Sequence, residues 1–400
     1  SKKRNSLFQG KVILPMKLRT VLKLKLTVVS WILLAASLAL AQTNQNALHQ
    51  PTAHPLNMLV LGDSILWGEG LKAKHKSWYQ VKVWLEKTTG RPVVEKIAAH
   101  SGAVIELGFT DDRMTANNAE VNVALPTVND EVDDALKSYA DGSKVDLVLM
   151  NGCVNDVNAQ NLLNASGKEE IDRLTQQRCG LPMEKLLRHI TTSFPKAEVI
   201  VAGYYPFFSE QTRNDFIMKA FTKRFFKIQP GAPMMNSKEV LARLTANSKE
   251  WYQASNKTLA EAVQKVNADL GSGRERIMFA RIEFPPDYAF AAHHTHLWGL
   301  NRSPFRMIMV VLSFGRILLP SNDEVRRDRT ASCNEVFRRQ LDETPERKKE
   351  RQNRLMLCRY AALGHPNRKG ALLYADAITD LLKTTSTLIK SRRQHSSVSK

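Results

Sequence analysis

The chain has 400 residues, 43% hydrophobic and 24% charged, with a formal net charge of +19. That balance excludes a disordered or fibrous polymer and leaves room for one large domain or two ordinary ones. Its four cysteines, Cys153, Cys179, Cys333 and Cys358, show neither CxxC nor zinc-type spacing, which argues against a cysteine metal site.

Met16 opens a segment of secretory character. Lys17, Arg19, Lys23 and Lys25 form a basic n-region, Leu26 to Leu40 an apolar h-region, and Ala39-Leu40-Ala41 a small-residue cleavage site before Gln42. The h-region is short for a bilayer span, so removal is expected, with an uncleaved anchor as the alternative. Residues 1–15 read as an upstream extension. The first 41 residues hold eight Lys/Arg and no Asp/Glu, so about +11 of charge remains beyond them. Much of it lies in Arg326–Arg359 and in Lys390-Ser391-Arg392-Arg393. No basic stripe is interleaved with aromatics, so no nucleic-acid partner is expected. An anionic envelope surface suits a basic exported chain, and plain solubility is the simpler account. Export also permits disulfides, and the shorter loops favour Cys153–Cys179 and Cys333–Cys358 among the three pairings.

Gln42 to Leu56 is a polar, proline-containing lead-in. The apolar run from Met58 to Leu61 then predicts a buried strand that ends in the turn Gly62-Asp63, with Ser64 offered at its C-terminal edge. Ser77 and Gln80 fit a capping box for a helix to Thr88, with Gly90 as its stop. Val93 to Ala99 predicts a second strand, followed by His100-Ser101-Gly102. A helix is expected around Asp130–Tyr139, and Val145 to Met150 predicts a third strand, followed by Asn151-Gly152-Cys153-Val154-Asn155-Asp156. A helix near Pro182–Thr192 precedes a fourth strand, Glu198 to Gly203. The aromatic-rich stretch 204–226 follows, then an amphipathic helix from Ser248 to Leu270 stopped by Gly271, and a fifth strand from Arg276 to Phe284. Strands alternating with helices over long crossovers predict a parallel sheet covered on both faces. One domain, 42–389, with insertions near 204–250 and 285–360, and a disordered basic tail, 390–400, complete this reading.

Four polar blocks thus fall past predicted strands or near the last helix: Gly62-Asp63-Ser64, Gly102, Asn155-Asp156, and His365-Pro366-Asn367. Their order and spacing resemble the SGNH, or GDSL-type, hydrolase family of esterases and lipases, over about Met58 to Leu382. The resemblance implies a flavodoxin-like, three-layer α/β/α fold with a five-stranded parallel sheet, and hydrolysis of a carboxylic ester without a cofactor. It implies Ser64 as nucleophile, His365 as base, and Ser64, Gly102 and Asn155 as oxyanion donors. Two departures from the family pattern stand out. One extra residue separates Gly152 from Asn155, and the family's Asp three residues before the histidine is here Ala362. Some members work as a Ser–His dyad with a main-chain carbonyl holding the imidazole, and that arrangement, or a carboxylate from elsewhere, is expected here.

The chemistry agrees with these residue types. A hydroxyl needs a base to become a nucleophile, imidazole suits neutral pH, and the tetrahedral oxyanion needs donors fixed in advance. Asp63 and Asp156 read as structural turn residues, and Tyr204 and Tyr205 as candidate pocket walls. His293-His294-Thr295-His296 lacks a carboxylate at helical spacing, so loop histidines and no metal are expected. The apolar run 305–319 is too interrupted to span a bilayer; core burial is its plain reading, a lid or membrane-contact flap the sharper one. The substrate is an acetylated carbohydrate or a lipid ester. The competing class is an inactive, anchored envelope-binding protein that kept the fold and lost the acid.

Overall fold

Five short strands pair into one sheet: four are apolar runs buried almost throughout, and the edge strand that carries Glu95 and Lys96 is only partly covered. In the computed structural model, residues 54–108, 113–225, 236–271, 275–303, 308, 309, 312, 321–338 and 344–389 are described. The predicted signal segment and the tail 390–400 lie outside them. In chain order the elements that position the site begin with β1 (Leu56–Leu61), α1 (Ser64–Trp67), α2 (Ser77–Thr89), β2 (Val93–Ile97) and α3 (Val128–Tyr139). There follow β3 (Leu147–Met150), α4 (Val154–Val157), α5 (Ala159–Asn164), α6 (Lys168–Thr175), α7 (Leu181–Ser193) and β4 (Glu198–Ala202). The last are α8 (Phe216–Phe225), α9 (Ser237–Leu270), β5 (Ile277–Ala280), α10 (Arg326–Val336), α11 (Pro345–Arg359) and α12 (Arg368–Thr385).

The strand order is β2-β1-β3-β4-β5, and every pairing is parallel, with Met58 opposite Leu147 and Val199 opposite Ile277. This is the flavodoxin-like α/β/α architecture. Helices α2 and α12 pack together as one layer, and α3, α7 and α9 as the other. The chain leaves β1 to one side for β2 and crosses back to the other for β3. The crevice past the C-terminal ends of β1 and β3 is therefore the topological switch point, where open α/β sheets place ligands.

Local chemistry explains where the helices differ from expectation. Helix α9 begins eleven residues before Ser248, because Asn236 and Glu239 form a capping box, each side chain bonded to the other's backbone N–H. Ser248 instead lies buried inside the helix and accepts the Phe208 N–H at 2.9 Å. At α2 the expected Ser77/Gln80 capping box does not form. Lys76 is the N-cap without a side-chain bond, and Gln80 donates to the Lys74 carbonyl. Gly90 ends that helix in the left-handed region, φ 69°. β5 stops at Ala280 because its partner β4 ends at Ala202, although Ile282 and Phe284 beyond it remain buried.

The disulfides Cys153–Cys179 and Cys333–Cys358 are both formed, with Cα separations of 5.2 and 6.0 Å. Most of the apolar run 305–319 lies outside the described residues. The three described, Ile308, Met309 and Leu312, are exposed, so core burial does not hold at those positions. Among the described residues no helix is long and apolar enough to cross a membrane.

Candidate active site

The turn after β1 is held from three directions. Gly62 has φ +117°, and a Cβ there would sit 2.3 Å from the Asn151 carbonyl oxygen, so only glycine fits. Its N–H donates to Glu131 Oε2 at 2.7 Å, and His100 Nδ1 lies 3.0 Å from Glu131 Oε1. Asp63 caps α1 by accepting the Ile65 N–H at 2.9 Å, so Ser64 becomes the first residue of a short buried helix. The fully buried Asp63 carboxylate also accepts from Asn151 Nδ2 at 2.6 Å and from the Tyr204 hydroxyl at 2.8 Å. Burial raises its pKa against these hydrogen bonds, each of which favours the charged form. Asp63 therefore aims the serine and does not face the cavity itself.

His365 arrives from 301 residues further along the chain and places Nε2 2.7 Å from Ser64 Oγ. Its backbone is anchored on both sides. Its carbonyl accepts the Trp298 N–H at 2.8 Å, its own N–H donates to Ala362 at 3.0 Å, and the Tyr205 hydroxyl donates to the Gly364 carbonyl at 2.7 Å. Asn367 explains the Pro-Asn sequence that follows, since its side chain caps α12 by accepting the Lys369 and Gly370 N–H groups.

The other ring nitrogen is the unusual one. His365 is half-buried as a residue, yet its Nδ1 is fully enclosed and makes no hydrogen bond. Burial lowers the imidazole pKa to about 4; the Ala361, Ala362 and Leu363 carbonyls push the other way without reaching hydrogen-bond geometry at Nδ1. Ala362, at the position where the resemblance implies an acid, packs against Gly70. A Cβ on Gly70 would lie 2.9 Å from Ala362 Cβ and 3.0 Å from Asp323 Cβ. Asp323 belongs to a buried cluster around Arg329, whose guanidinium also bonds Glu69 and Glu120 and acts on His365 to lower its pKa further.

Gly102 and Asn155 meet across the switch point. Gly102 has φ +88°, and a Cβ there would lie 2.4 Å from Asn122 Oδ1 and 2.6 Å from the Val123 nitrogen. Asn155 donates from Nδ2 to the Ala103 carbonyl at 2.9 Å, so it is oriented by the loop that carries Gly102. The extra residue before Asn155 is absorbed at Cys153, which takes φ 127° ahead of α4. Asp156 supports the same loop: its Oδ1 accepts the Ile105 N–H at 2.9 Å, while its enclosed Oδ2 has no partner. Burial lifts the Asp156 pKa to about 7.

Gly102 and Asn155, with Ile65, Tyr204, Tyr205 and Trp251, line a cavity of about 480 Å³. Tyr204 and Tyr205 are thus walls, but their hydroxyls serve the scaffold. The histidines of 293–296 do not converge: His293 bonds Arg213, His294 bonds Asp287, and His296 stacks on Tyr288 at 3.6 Å. Among the described residues no three His, Cys, Asp or Glu side chains form a metal-ligand group. The charge cluster of Glu69, Glu120, Asp323 and Arg329 was not foreseen from the sequence, because its members are up to 260 residues apart and share no motif.

No family model matches the chain, and no curated protein matches it. Solved structures similar to parts of it include an extracellular lipase from Streptomyces rimosus, at 16% identity and TM-score 0.36, over 61% of this chain and 87% of that one. A phospholipase A1 from Streptomyces albidoflavus is 13% identical, with TM-score 0.36, over 62% and 89%. A family 3 carbohydrate esterase from Clostridium thermocellum is 15% identical, with TM-score 0.31, over 58% and 82%.

Proposed function

We propose that the protein is an exported ester hydrolase of the SGNH type, acting through Ser64 and His365. The observation that carries this reading is the 2.7 Å approach of His365 Nε2 to Ser64 Oγ at the switch point of the sheet. His365 Nε2 takes the Oγ proton as Oγ bonds to the ester carbonyl carbon. The developing oxyanion is received by the Ser64 and Gly102 N–H groups and by the second N–H of the Asn155 amide. Collapse expels the alcohol, which takes the proton from His365. Water then attacks the acyl-enzyme with His365 again as base, releasing the acid and restoring Ser64. With its pKa near 4, the imidazole is neutral and able to accept a proton across the neutral range.

Export is supported by the signal-like residues 16–41 and by two disulfides in the folded unit. The exposed basic side chains of α11 are the feature that favours contact with an anionic surface.

The unpartnered Nδ1 favours one competing reading, an inactive protein that binds without cleaving. Hydrolysis of p-nitrophenyl acetate by the purified chain and by Ser64→Ala separates the two. Loss of at least ~10³-fold in kcat in the variant is expected, and equal rates would overturn the enzyme reading. Labelling of Ser64 by a fluorophosphonate is the second check.

A further inference from the structure

The roof of the cavity is built by a part of the chain that the catalytic reading does not use. Helices α10 and α11 are stapled by Cys333–Cys358 and form a small second core, in which Cys333, Phe337 and Cys358 pack with Val121 and Val123. Val123 belongs to the loop against which Gly102 is pressed. The stapled pair is therefore seated on the oxyanion loop. From there Leu357 of α11, and Tyr360 and Leu363 beyond it, face the cavity.

Much of the remaining lining is apolar as well, with Leu162 and Leu163 of α5, Phe221 of α8 and Trp251 of α9. Of the polar groups around the cavity, the Arg354 guanidinium lies 5.2 Å over the Phe337 ring, and four others are engaged in hydrogen bonds. Tyr204 donates to Asp63 at 2.8 Å, Tyr205 to the Gly364 carbonyl at 2.7 Å and Asn155 to Ala103 at 2.9 Å, while Ser248 accepts from Phe208 at 2.9 Å. A sugar ring placed here would lose hydrogen bonds to water and recover few. An acetyl group would leave most of the 480 Å³ unfilled, a volume within the range of drug-sized ligand sites.

We propose that the roofed cavity is an acyl-chain site, and that the preferred substrate is an ester whose acyl arm is hydrophobic and much longer than acetyl. This rests on the Ser64–His365 reading. The acyl arm is the part assigned to the recess because it stays bonded to Ser64 through both chemical steps, whereas the alcohol must leave between them. Helices α10 and α11 then set chain selectivity.

The test uses p-nitrophenyl esters from acetate to decanoate, with the alcohol constant, beside acetate esters of lengthening alcohols. With acyl length kcat/KM should rise about three- to fourfold per methylene until the cavity is filled, and the alcohol series should stay flat. Leu163→Trp, which fills the cavity, and Leu357→Asp, at a position 39% exposed, should each lower the decanoate-to-acetate ratio about tenfold. Sub-micellar decanoate should bind Ser64→Ala in calorimetry. A flat acyl profile with Ser64-dependent acetate hydrolysis overturns the acyl site alone, as does a rise in the alcohol series instead. If no ester is cleaved in a Ser64-dependent way, the catalytic reading fails; decanoate binding then decides the acyl site by itself, and its absence overturns that too.

Discussion

The Tyr204 hydroxyl donates to Asp63 Oδ2 at 2.8 Å and accepts the Val154 N–H at 3.1 Å. One phenol therefore ties the turn before Ser64 to the start of the helix that carries Asn155. Its ring packs on Trp251 at a centroid distance of 5.3 Å, which holds it without help from the hydroxyl. Tyr204→Phe should keep the fold and leave two buried polar groups unpaired. A loss of about 2–3 kcal/mol in urea unfolding is expected. Because both ends of the tie lead to site residues, kcat should fall with KM less affected. A variant as stable and as fast as the wild type would show that the tie has no such role.

His365 yields a pH prediction with a definite sign. A solvated histidine, with pKa about 6.5, would be only ~3% neutral at pH 5, whereas one at about 4 is ~90% neutral there. The acid limb of kcat/KM should accordingly turn near pH 4, and activity at pH 5 should stay within about twofold of that at pH 7. The histidines' own share of stability moves in the same direction, opposed over this range by Asp156 and Glu69, whose raised pKa values favour the folded state as the pH falls. The folded pKa values of His365 and His100 are both lowered to about 4 by burial, so their contribution is present above pH 6.5 and lost as the pH falls through 4. The melting-temperature difference between wild type and His100→Asn isolates the His100 part of that share and should narrow from pH 7 to 4, and initial rates on prefolded enzyme keep the two effects apart.

The parallel sheet was legible because strands covered on both faces must be apolar along their length, as Leu147 to Met150 and Glu198 to Ala202 nearly are. Ser64, Gly102, Asn155 and His365 were legible because each sits where a strand or helix boundary forces a recognisable local pattern. The start of α9 was equally present, in Asn236 and Glu239, but the nearer serine at 248 drew the boundary too late. Ser77 and Gln80 show the converse, a capping pattern whose residues lie one position inside the helix. Nothing local announces that Arg329 is fully buried among carboxylates, since a lone arginine on a charged helix reads as a solvated one. That Nδ1 of His365 has no partner was beyond sequence for the same reason: Ala362 shows only that no acid stands there, and whether another group reaches the enclosed nitrogen depends on tertiary packing.

Gly102 is both a conformational and a steric requirement. Its φ of +88° lies in the region where a side chain is strained, and any Cβ meets Asn122 and Val123 at 2.4 to 2.7 Å. Gly102→Ala should push the loop at 122–123 outward and carry the 102 N–H away from the oxyanion. Removing one such donor costs about 3–4 kcal/mol of transition-state stabilisation, so kcat should drop ~10²- to 10³-fold. Fluorophosphonate labelling should slow as well. Unchanged kcat in a folded Gly102→Ala protein would remove Gly102 from the proposed oxyanion site.

Arg329 stands among three buried carboxylates. It is fully buried, with Nη1 3.0 Å from Glu69 and 3.3 Å from Glu120, and Nη2 2.6 Å from Asp323. The second cation, Lys76, stands 3.7 Å from Glu120 and 3.1 Å over the Trp67 ring, and burial lowers its pKa to about 8. Arg329→Leu would leave the carboxylates facing each other, at a cost of about 3–5 kcal/mol. The sign with pH follows from Glu69, whose folded pKa is raised well above its ordinary value by burial and by Glu120. Stability from such a group is complete below its unfolded pKa and is lost as the pH rises through the folded value. Without the guanidinium that loss should grow, so the melting-temperature gap between wild type and variant should be smaller at pH 5 than at pH 8. An equal gap at both would mean that the carboxylates are not the groups left unmatched. Gly70 lies against both Asp323 and Ala362, so the variant should also lose kcat at pH 5, where it is best folded, because the segment that carries His365 has lost support passed through Gly70.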